Sequence, residues 1–255
     1  MKLKNKTKPV CKIIGGILFG ITLWCMLPVV VKADDDATLK IQNSGEEAYF
    51  LGSDIVKKSN IEKLTINNSL QGINETAWDV SSNNSGSIKA WYTDDDNDGL
   101  YEVMIGSSKG KVKAHTDSSN LFAYIGKDVD ASIEGLQNLD TGNVTDMKDM
   151  FSGCSNLTEL DVTGFNTSNV EDMHWMFNQC NSLTELDVSG FDTSKVTNME
   201  LMFRDCKNLT NLDVSRFDTS NVKDMSWMFL RMWKLNRTGC KQIWYKQSDR
   251  HVAYV

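Results

Sequence analysis

The sequence predicts an α/β solenoid, a stack of short parallel strands and helical turns with a small β-rich cap at its N-terminal side. Two observations predict this fold class. Apolar residues recur every 26 positions through residues 141–229, and each unit joins a strand-like alternation to a helix-like spacing. Because one strand and one helical turn cannot bury their own apolar sides, we expect stacked units to share a continuous core.

The 26-residue period is specific because many positions repeat together. A Met-Phe pair, a cysteine, two leucines, a valine and a phenylalanine recur in each of three units. We predict that these residues form the structural core of the repeats. They are Met150, Phe151, Cys154, Leu157, Leu160, Val162 and Phe165; Met176, Phe177, Cys180, Leu183, Leu186, Val188 and Phe191; and Met202, Phe203, Cys206, Leu209, Leu212, Val214 and Phe217.

Within a unit, the pattern changes from period two to a spacing of three and four. Residues 160–163 alternate apolar and polar side chains, which predicts a short strand with one buried face. Residues 170–180 place apolar side chains three and four positions apart, which predicts one or two helical turns. Residues 167–169, Thr-Ser-Asn, favour a turn between the two.

Residues 1–33 are predicted to form a signal peptide. Five lysines within the first twelve residues precede an apolar stretch over residues 13–31, and Val31-Lys32-Ala33 suits cleavage before Asp34. An uncleaved membrane anchor is the alternative, because the apolar stretch is long enough to span a bilayer. Either interpretation predicts export.

Two segments separate the predicted signal peptide from the repeats. Residues 34–85 form a polar lead segment, with an ordered strand or helix expected over residues 55–64. Residues 86–140 are predicted to form the β-rich cap. The charge of the chain is concentrated downstream of the leader: residues 34–229 hold 15 Lys and Arg against 33 Asp and Glu. This excess of acid would repel phosphates, so neither nucleic acid nor an anionic membrane is an expected partner.

Polar side chains alternate with the buried ones on each predicted strand and would form rows across the concave face. A protein or a cell-surface ligand could bind there, since solenoids commonly use this face. A merely solvated face, with each Asp accepting a hydrogen bond from a neighbouring Ser or Thr, is the alternative. The candidate binding residues are Glu159, Asp161, Thr163, Glu185, Asp187, Ser189, Asn211, Asp213 and Ser215.

The acidic loop over residues 94–99 contains Asp94, Asp96 and Asp98 at the spacing of the first half of a calcium loop. The twelfth position, where such a loop has a bidentate acid, is Ile105. Both flanks look like strands, which favours a hairpin with an acidic tip, and weak calcium binding is the alternative. No other cofactor is expected.

Nothing in the sequence indicates an enzyme. Cys154, Cys180 and Cys206 each fill an apolar position, which favours buried free thiols over disulfides or metal ligands. Trp175, Leu201 and Trp227 share one repeat position, where core or helix-edge packing is expected. The histidines are scattered at His115, His174 and His251, and no nucleophile–base pair or nucleotide-binding loop is visible.

The units resemble those of the BspA-like leucine-rich repeat surface proteins of Gram-positive bacteria and mycoplasmas. The resemblance covers residues 133–229, and the segment over residues 87–126 is similar to what precedes the array in that family. It implies a leucine-rich-repeat-like fold, secretion or cell-surface display, adhesion to a host or another cell, and no catalytic residues.

The repeat pattern stops after Phe229, and residues 230–255 hold six Lys and Arg against one acid. Back-translation of this tail with a shift of one nucleotide regenerates a further repeat in register. We therefore predict an out-of-frame tail on the front part of a longer gene, which the nucleotide sequence would test. No wall-anchor signal occurs in the 255 residues. The function expected is adhesion or protein–protein interaction; the alternatives are a calcium-stabilised structural module or a truncated product without function.

Overall fold

The computed structural model describes residues 37–42, 45 and 48–236. The predicted signal peptide and most of the predicted out-of-frame tail lie outside the described residues. Seven strands and three short 3₁₀ turns are formed within the described ranges. The strands are β1 (Ile61–Ile66), β2 (Trp78–Asp79), β3 (Ile88–Thr93), β4 (Tyr101–Ser107), β5 (Val112–Lys113), β6 (Ser132–Glu134) and β7 (Leu139–Asp140). The 3₁₀ turns are Phe50–Gly52, Lys58–Asn60 and Leu136–Asn138.

The principal sheet has five strands in the order β2-β3-β4-β1-β6. Strands β3 and β4 form an antiparallel hairpin, and this confirms the hairpin predicted around the acidic loop. Strand β1 lies at the centre of the sheet and pairs in parallel with both β4 and β6. The sheet is therefore mixed, and it unites the segment predicted as a polar lead with the segment predicted as the cap.

The predicted α/β solenoid is wrong. The described residues contain no α-helix, and their principal β-structure is the mixed five-stranded sheet rather than a stack of parallel strands. The strand predicted over residues 160–163 does not form, and the face that was to carry the polar rows holds only an isolated bridge between Glu185 and Asn211. The segment over residues 170–180 forms successive turns instead of a helix.

Backbone conformation explains why the repeat units contain no helix. Trp175 and Gln179 have φ of 60° and 62°, in the left-handed region, which a right-handed helix cannot continue through. Both positions are left-handed in every unit. The equivalents are Asp149 and Gly153, Leu201 and Asp205, and Trp227 and Arg231.

The amide groups of these turns alternate between two kinds of partner. The N–H of Met176 donates to the carbonyl of Met173 within the same turn. The N–H groups of Trp175 and Phe177 instead donate to the carbonyls of Glu200 and Met202 in the next unit. A helix would use only the first kind of bond and a strand only the second. These turns thus pair backbone N–H groups, as burial requires, without forming either element.

One apolar core joins the sheet to the repeat units. Phenylalanines from successive units stack inside it, with ring centroids 5.7 Å apart for Phe151 and Phe177 and 5.6 Å apart for Phe177 and Phe203. Every residue predicted as repeat core is buried. The packing continues past Phe229, because Met232 is buried and Leu235 packs against the core.

Candidate binding surfaces

The nine predicted binding residues, termed the polar rows, are all exposed. They flank buried leucines and valines even though no strand is formed there, since the alternation of burial persists through each unit. Asp161, Asp187 and Asp213 each accept a hydrogen bond from the backbone N–H two residues later, at 2.9 to 3.0 Å. These bonds fix the carboxylates at the surface and leave their outer lone pairs open to solvent.

The same local bonds favour the ionised form of Asp187 and Asp213. Hydrogen bonds from the Ser189 hydroxyl and backbone N–H lower the pKa of Asp187, and Ser215 lowers the pKa of Asp213 in the same way. The sequence alternative, in which each Asp accepts from a neighbouring Ser or Thr, is present here. The Asp side chains remain exposed while they accept these hydrogen bonds, so the polar rows are accessible to a partner.

A cavity of about 350 Å³ lies across the polar rows of the first two units. Its floor contains Leu160 and Leu186, and its rim includes Glu159, Asp161 and Glu185. An apolar floor with an acidic rim suits a basic or hydroxyl-bearing side chain of a partner. Asn211, Asp213 and Ser215 of the third unit do not line this cavity.

The acidic loop brings its carboxylates together. One carboxylate oxygen from each of Asp94, Asp96 and Asp98 lies within 4.8 Å of the others, and Asp94 Oδ1 is buried without a hydrogen-bond partner among the described residues. A buried, unpartnered carboxylate oxygen is costly unless a cation or a proton satisfies it. Hard oxygen ligands at this spacing suit Ca²⁺.

Two further acids, which the sequence spacing did not indicate, lie beside the loop. Glu62 of β1 and Glu102 of β4 line a cavity of about 250 Å³ together with Asp94 and Asp96. Partial burial, followed by repulsion from Asp98, Asp96, Glu102 and Asp94, raises the pKa of Glu62. Ile105 leaves the twelfth loop position without an acid, and the parallel pairing of β1 with β4 supplies acids from elsewhere.

The three repeat cysteines are buried free thiols. Each Sγ donates to a carbonyl oxygen of the preceding unit, for example Cys180 to Phe151 at 3.2 Å. Burial raises the pKa of Cys154 and of Cys206 to about 12, and it raises the pKa of Cys180 well above the usual range. These thiols are therefore poor nucleophiles and act as small core residues with a weak hydrogen bond.

The shared position of Trp175, Leu201 and Trp227 does not behave as the sequence suggested. Leu201 is buried, but Trp175 and Trp227 are 36% and 47% exposed. Core packing therefore accounts for the leucine and not for the two tryptophans. The histidines serve local structure: His174 Nδ1 lies 2.6 Å from Asp172, and His115 Nδ1 accepts from the Asp117 N–H at 3.1 Å. His251 lies outside the described residues.

Lys58 is a buried cation that sequence reasoning missed. Its side chain is fully buried, its Nζ donates to the carbonyl of Asn120 at 3.4 Å, and it lies 5.4 Å from the centroid of the Tyr124 ring. Burial lowers the pKa of Lys58 to about 8. Nothing in the local sequence around residue 58 could have shown this, because its neighbours come from a segment 62 residues away.

Comparison with known proteins gives one family match. Residues 116–242 match the family described as Mycoplasma protein of unknown function, DUF285. The match covers the repeat units and leaves out strands β1 to β5. It agrees coarsely with the resemblance to mycoplasma surface proteins, although no leucine-rich-repeat or BspA family matches. No curated protein and no solved structure matches the chain.

None of the helical segments among the described residues is long and apolar enough to cross a bilayer.

Proposed function

We propose that this chain is an exported surface protein that binds a partner protein or a cell-surface ligand through its polar rows. One observation carries the proposal. The rows expose nine polar side chains, three from each of three units, and five of them line a cavity with an apolar floor and an acidic rim. The acidic excess of residues 34–229 favours a partner with a basic surface.

The carboxylates are held in place before any partner arrives. Asp161 and Asp187 are fixed by short-range hydrogen bonds, so binding would order few side chains and lose little entropy. The similarity of residues 116–242 to a mycoplasma-associated family, and the signal-peptide pattern of residues 1–33, also support a surface role.

A matched pair of double variants tests the role of the rows. Asp161→Asn with Asp187→Asn removes two charges at the cavity. Asp192→Asn with Asp218→Asn removes two charges from exposed aspartates outside it, which also accept a backbone N–H two residues later. Asn166 occupies the position equivalent to Asp192 and Asp218, and it makes the same bond.

Binding is measured with labelled protein on a basement-membrane matrix and on cultured epithelial cells. We expect the cavity variant to lose at least about tenfold in binding and the control variant to match the wild type. Equal binding by all three proteins would exclude the polar rows as the contact surface. Export is tested separately by N-terminal sequencing of the secreted protein, which is expected to begin at Asp34.

Calcium stabilisation is a second candidate function, favoured by the unpartnered Oδ1 of Asp94. A cation bound between Asp94, Asp96 and Asp98, with Glu62 and Glu102 nearby, would satisfy that oxygen and reduce the repulsion among the acids. Because the acids come from β1, β4 and the loop between β3 and β4, such a cation would tie three parts of the principal sheet together.

Thermal unfolding in Ca²⁺ and in EDTA tests this candidate. We expect Ca²⁺ to raise the Tm of the wild type, since a ligand that binds only the folded state stabilises it. Asp96→Asn with Asp98→Asn should abolish that increase. Asp128→Asn with Asp130→Asn, two exposed acids on another loop, should retain it. An unchanged wild-type Tm at millimolar Ca²⁺ would exclude the site.

A further inference from the structure

Trp175 and Trp227 occupy one position of the repeat with an unusually fixed backbone. Both residues are left-handed, with φ of 60° and 56°. The N–H of Trp175 donates to Glu200 in the next unit, and the carbonyl of Trp227 accepts within its own turn from Leu230. The two tryptophans therefore occupy equivalent, hydrogen-bonded backbone positions two units apart.

The packing of this repeat position buries a leucine but leaves the two indoles exposed. Leu201, at the same position in the intervening unit, is only 3% exposed, whereas the tryptophans are 36% and 47% exposed. Among the described residues, neither indole N–H donates to a protein acceptor. By contrast, Trp78 donates its indole N–H to the carbonyl of Leu51. Large exposed aromatic side chains with unused donors are typical of binding sites.

The backbone separation of the two tryptophan units limits the class of ligand that can span them. Hydrogen-bonded chains lie about 4.8 Å apart, so two units advance by roughly 10 Å at the backbone. On the buried side of the same turns, ring centroids are 5.6 Å apart for Phe177 and Phe203 and 6.0 Å apart for Phe203 and Phe229. An extended β-1,4-linked glycan presents the same ring face after every second sugar, and that repeat has a similar length.

Polar residues adjoin the tryptophan position of the repeat in the sequence. His174 and Glu200 precede the tryptophan position in successive units and are half-buried. Carboxylate and imidazole groups are side-chain types that hydrogen-bond hydroxyl groups such as those of sugars. The strong acidic excess of residues 34–229 would repel an anionic glycan, which leaves a neutral one.

We propose that Trp175 and Trp227 form a stacking platform for a neutral, extended β-1,4-linked glycan. Each indole contacts one face of every second sugar. This site is separate from the polar rows and does not depend on the function proposed for them.

Isothermal titration calorimetry of the whole protein with three hexasaccharides tests the platform. Chitohexaose and cellohexaose are β-1,4-linked and neutral, and maltohexaose is α-1,4-linked and curved. We expect at least one β-linked hexasaccharide to bind at least about tenfold more tightly than maltohexaose. A preference between the two β-linked chains would identify the sugar as N-acetylated or not.

Substitution by leucine gives variants that should fold. Leucine already occupies this left-handed position at residue 201, so Trp175→Leu and Trp227→Leu preserve a conformation the repeat tolerates. Each should weaken binding by about tenfold, as loss of one stacking contact predicts. Trp233→Leu, at an exposed tryptophan outside this repeat position, is the control and should leave the affinity unchanged. Circular dichroism and Tm verify that all three variants are folded.

Three results would overturn the proposal. The first is an absence of binding to both β-linked hexasaccharides at millimolar concentration. The second is equal affinity for maltohexaose. The third is unchanged affinity in folded Trp175→Leu and Trp227→Leu proteins.

Discussion

Replacing Lys58 by methionine should change how the stability of this protein depends on pH. Lys58 lies in the 3₁₀ turn Lys58–Asn60 and is fully buried against Asn120 and Tyr124, next to the first repeat unit. Methionine has a similar length and no charge, so Lys58→Met removes the buried cation with little change in volume.

The structure sets the size of the effect. Burial lowers the pKa of Lys58 from 10.5 to about 8. The unfolded chain therefore binds more protons than the folded protein between these two values, and the free energy of unfolding should rise with pH across this window. At 1.36 kcal/mol per pKa unit, the fully developed contribution is about 3 kcal/mol. Below pH 8 the folded protein bears this cost, which the hydrogen bond to Asn120 and the contact with Tyr124 offset in part.

Urea unfolding at several pH values from 7 to 10 provides the measurement. The difference in unfolding free energy between wild type and Lys58→Met isolates Lys58, because the other titrating groups are common to both proteins. We expect this difference to move by about 2 to 3 kcal/mol in favour of the wild type between pH 7 and pH 10. Lys207→Met, an exposed lysine, is the control and should show no such change.

A constant difference between wild type and Lys58→Met over this pH range would refute the reasoning. It would mean that the amine keeps its ordinary pKa and is solvated in the folded protein. A difference that moves in favour of the variant as pH rises would refute it as well, because it would require a raised pKa.

Three further substitutions test the repeat units. Phe177→Ala removes a fully buried ring stacked between Phe151 and Phe203 and should lower the unfolding free energy by about 3 to 5 kcal/mol in urea; a loss below about 1 kcal/mol would contradict the packing. Thr167→Val should lower the unfolding free energy by about 1 to 3 kcal/mol, because the Thr167 hydroxyl both donates to and accepts from the backbone of residue 192. Thr158→Val, at an exposed site, is the control and should be nearly neutral. Partial burial, with repulsion from Asp172 and Asp117, raises the pKa of Asp146, so this carboxyl stabilises the fold at low pH and loses that contribution as pH rises through its folded pKa. Asp146→Asn should therefore raise Tm at pH 7 and give no increase at pH 3, and an equal increase at both pH values would exclude the partly buried charge as its cause.

Much of the repeat core was predictable because burial alone selects its residue types. The 26-residue recurrence of Met, Phe, Cys, Leu and Val identified side chains that are all buried, and it did so without any assumption about the path of the backbone. The exposed Asp and Ser positions between them followed from the same alternation. The hairpin at the acidic loop was predictable because both of its strands are long enough to show their pattern.

The backbone path of each unit was not predictable from that recurrence. Apolar side chains three and four positions apart indicate a helix, but successive turns closed by bonds such as Met176 to Met173 and Cys180 to Phe177 produce the same spacing. The left-handed backbone at Trp175 and Gln179 distinguishes successive turns from a helix. Neither tryptophan nor glutamine is a residue type that indicates a left-handed conformation. The α/β solenoid was wrong for this reason.

The sequence by itself determined which side chains are buried, where the period lies and how charge is distributed, since these depend on residue type and spacing. Only the tertiary structure decided which residues that are distant in the chain lie close together. It placed Glu62 and Glu102 beside the acidic loop, buried the amine of Lys58 against Asn120, and left Trp175 and Trp227 exposed around a buried Leu201. Contacts between residues distant in the chain depend on strand order and turn conformation, and local patterns carry no information about either.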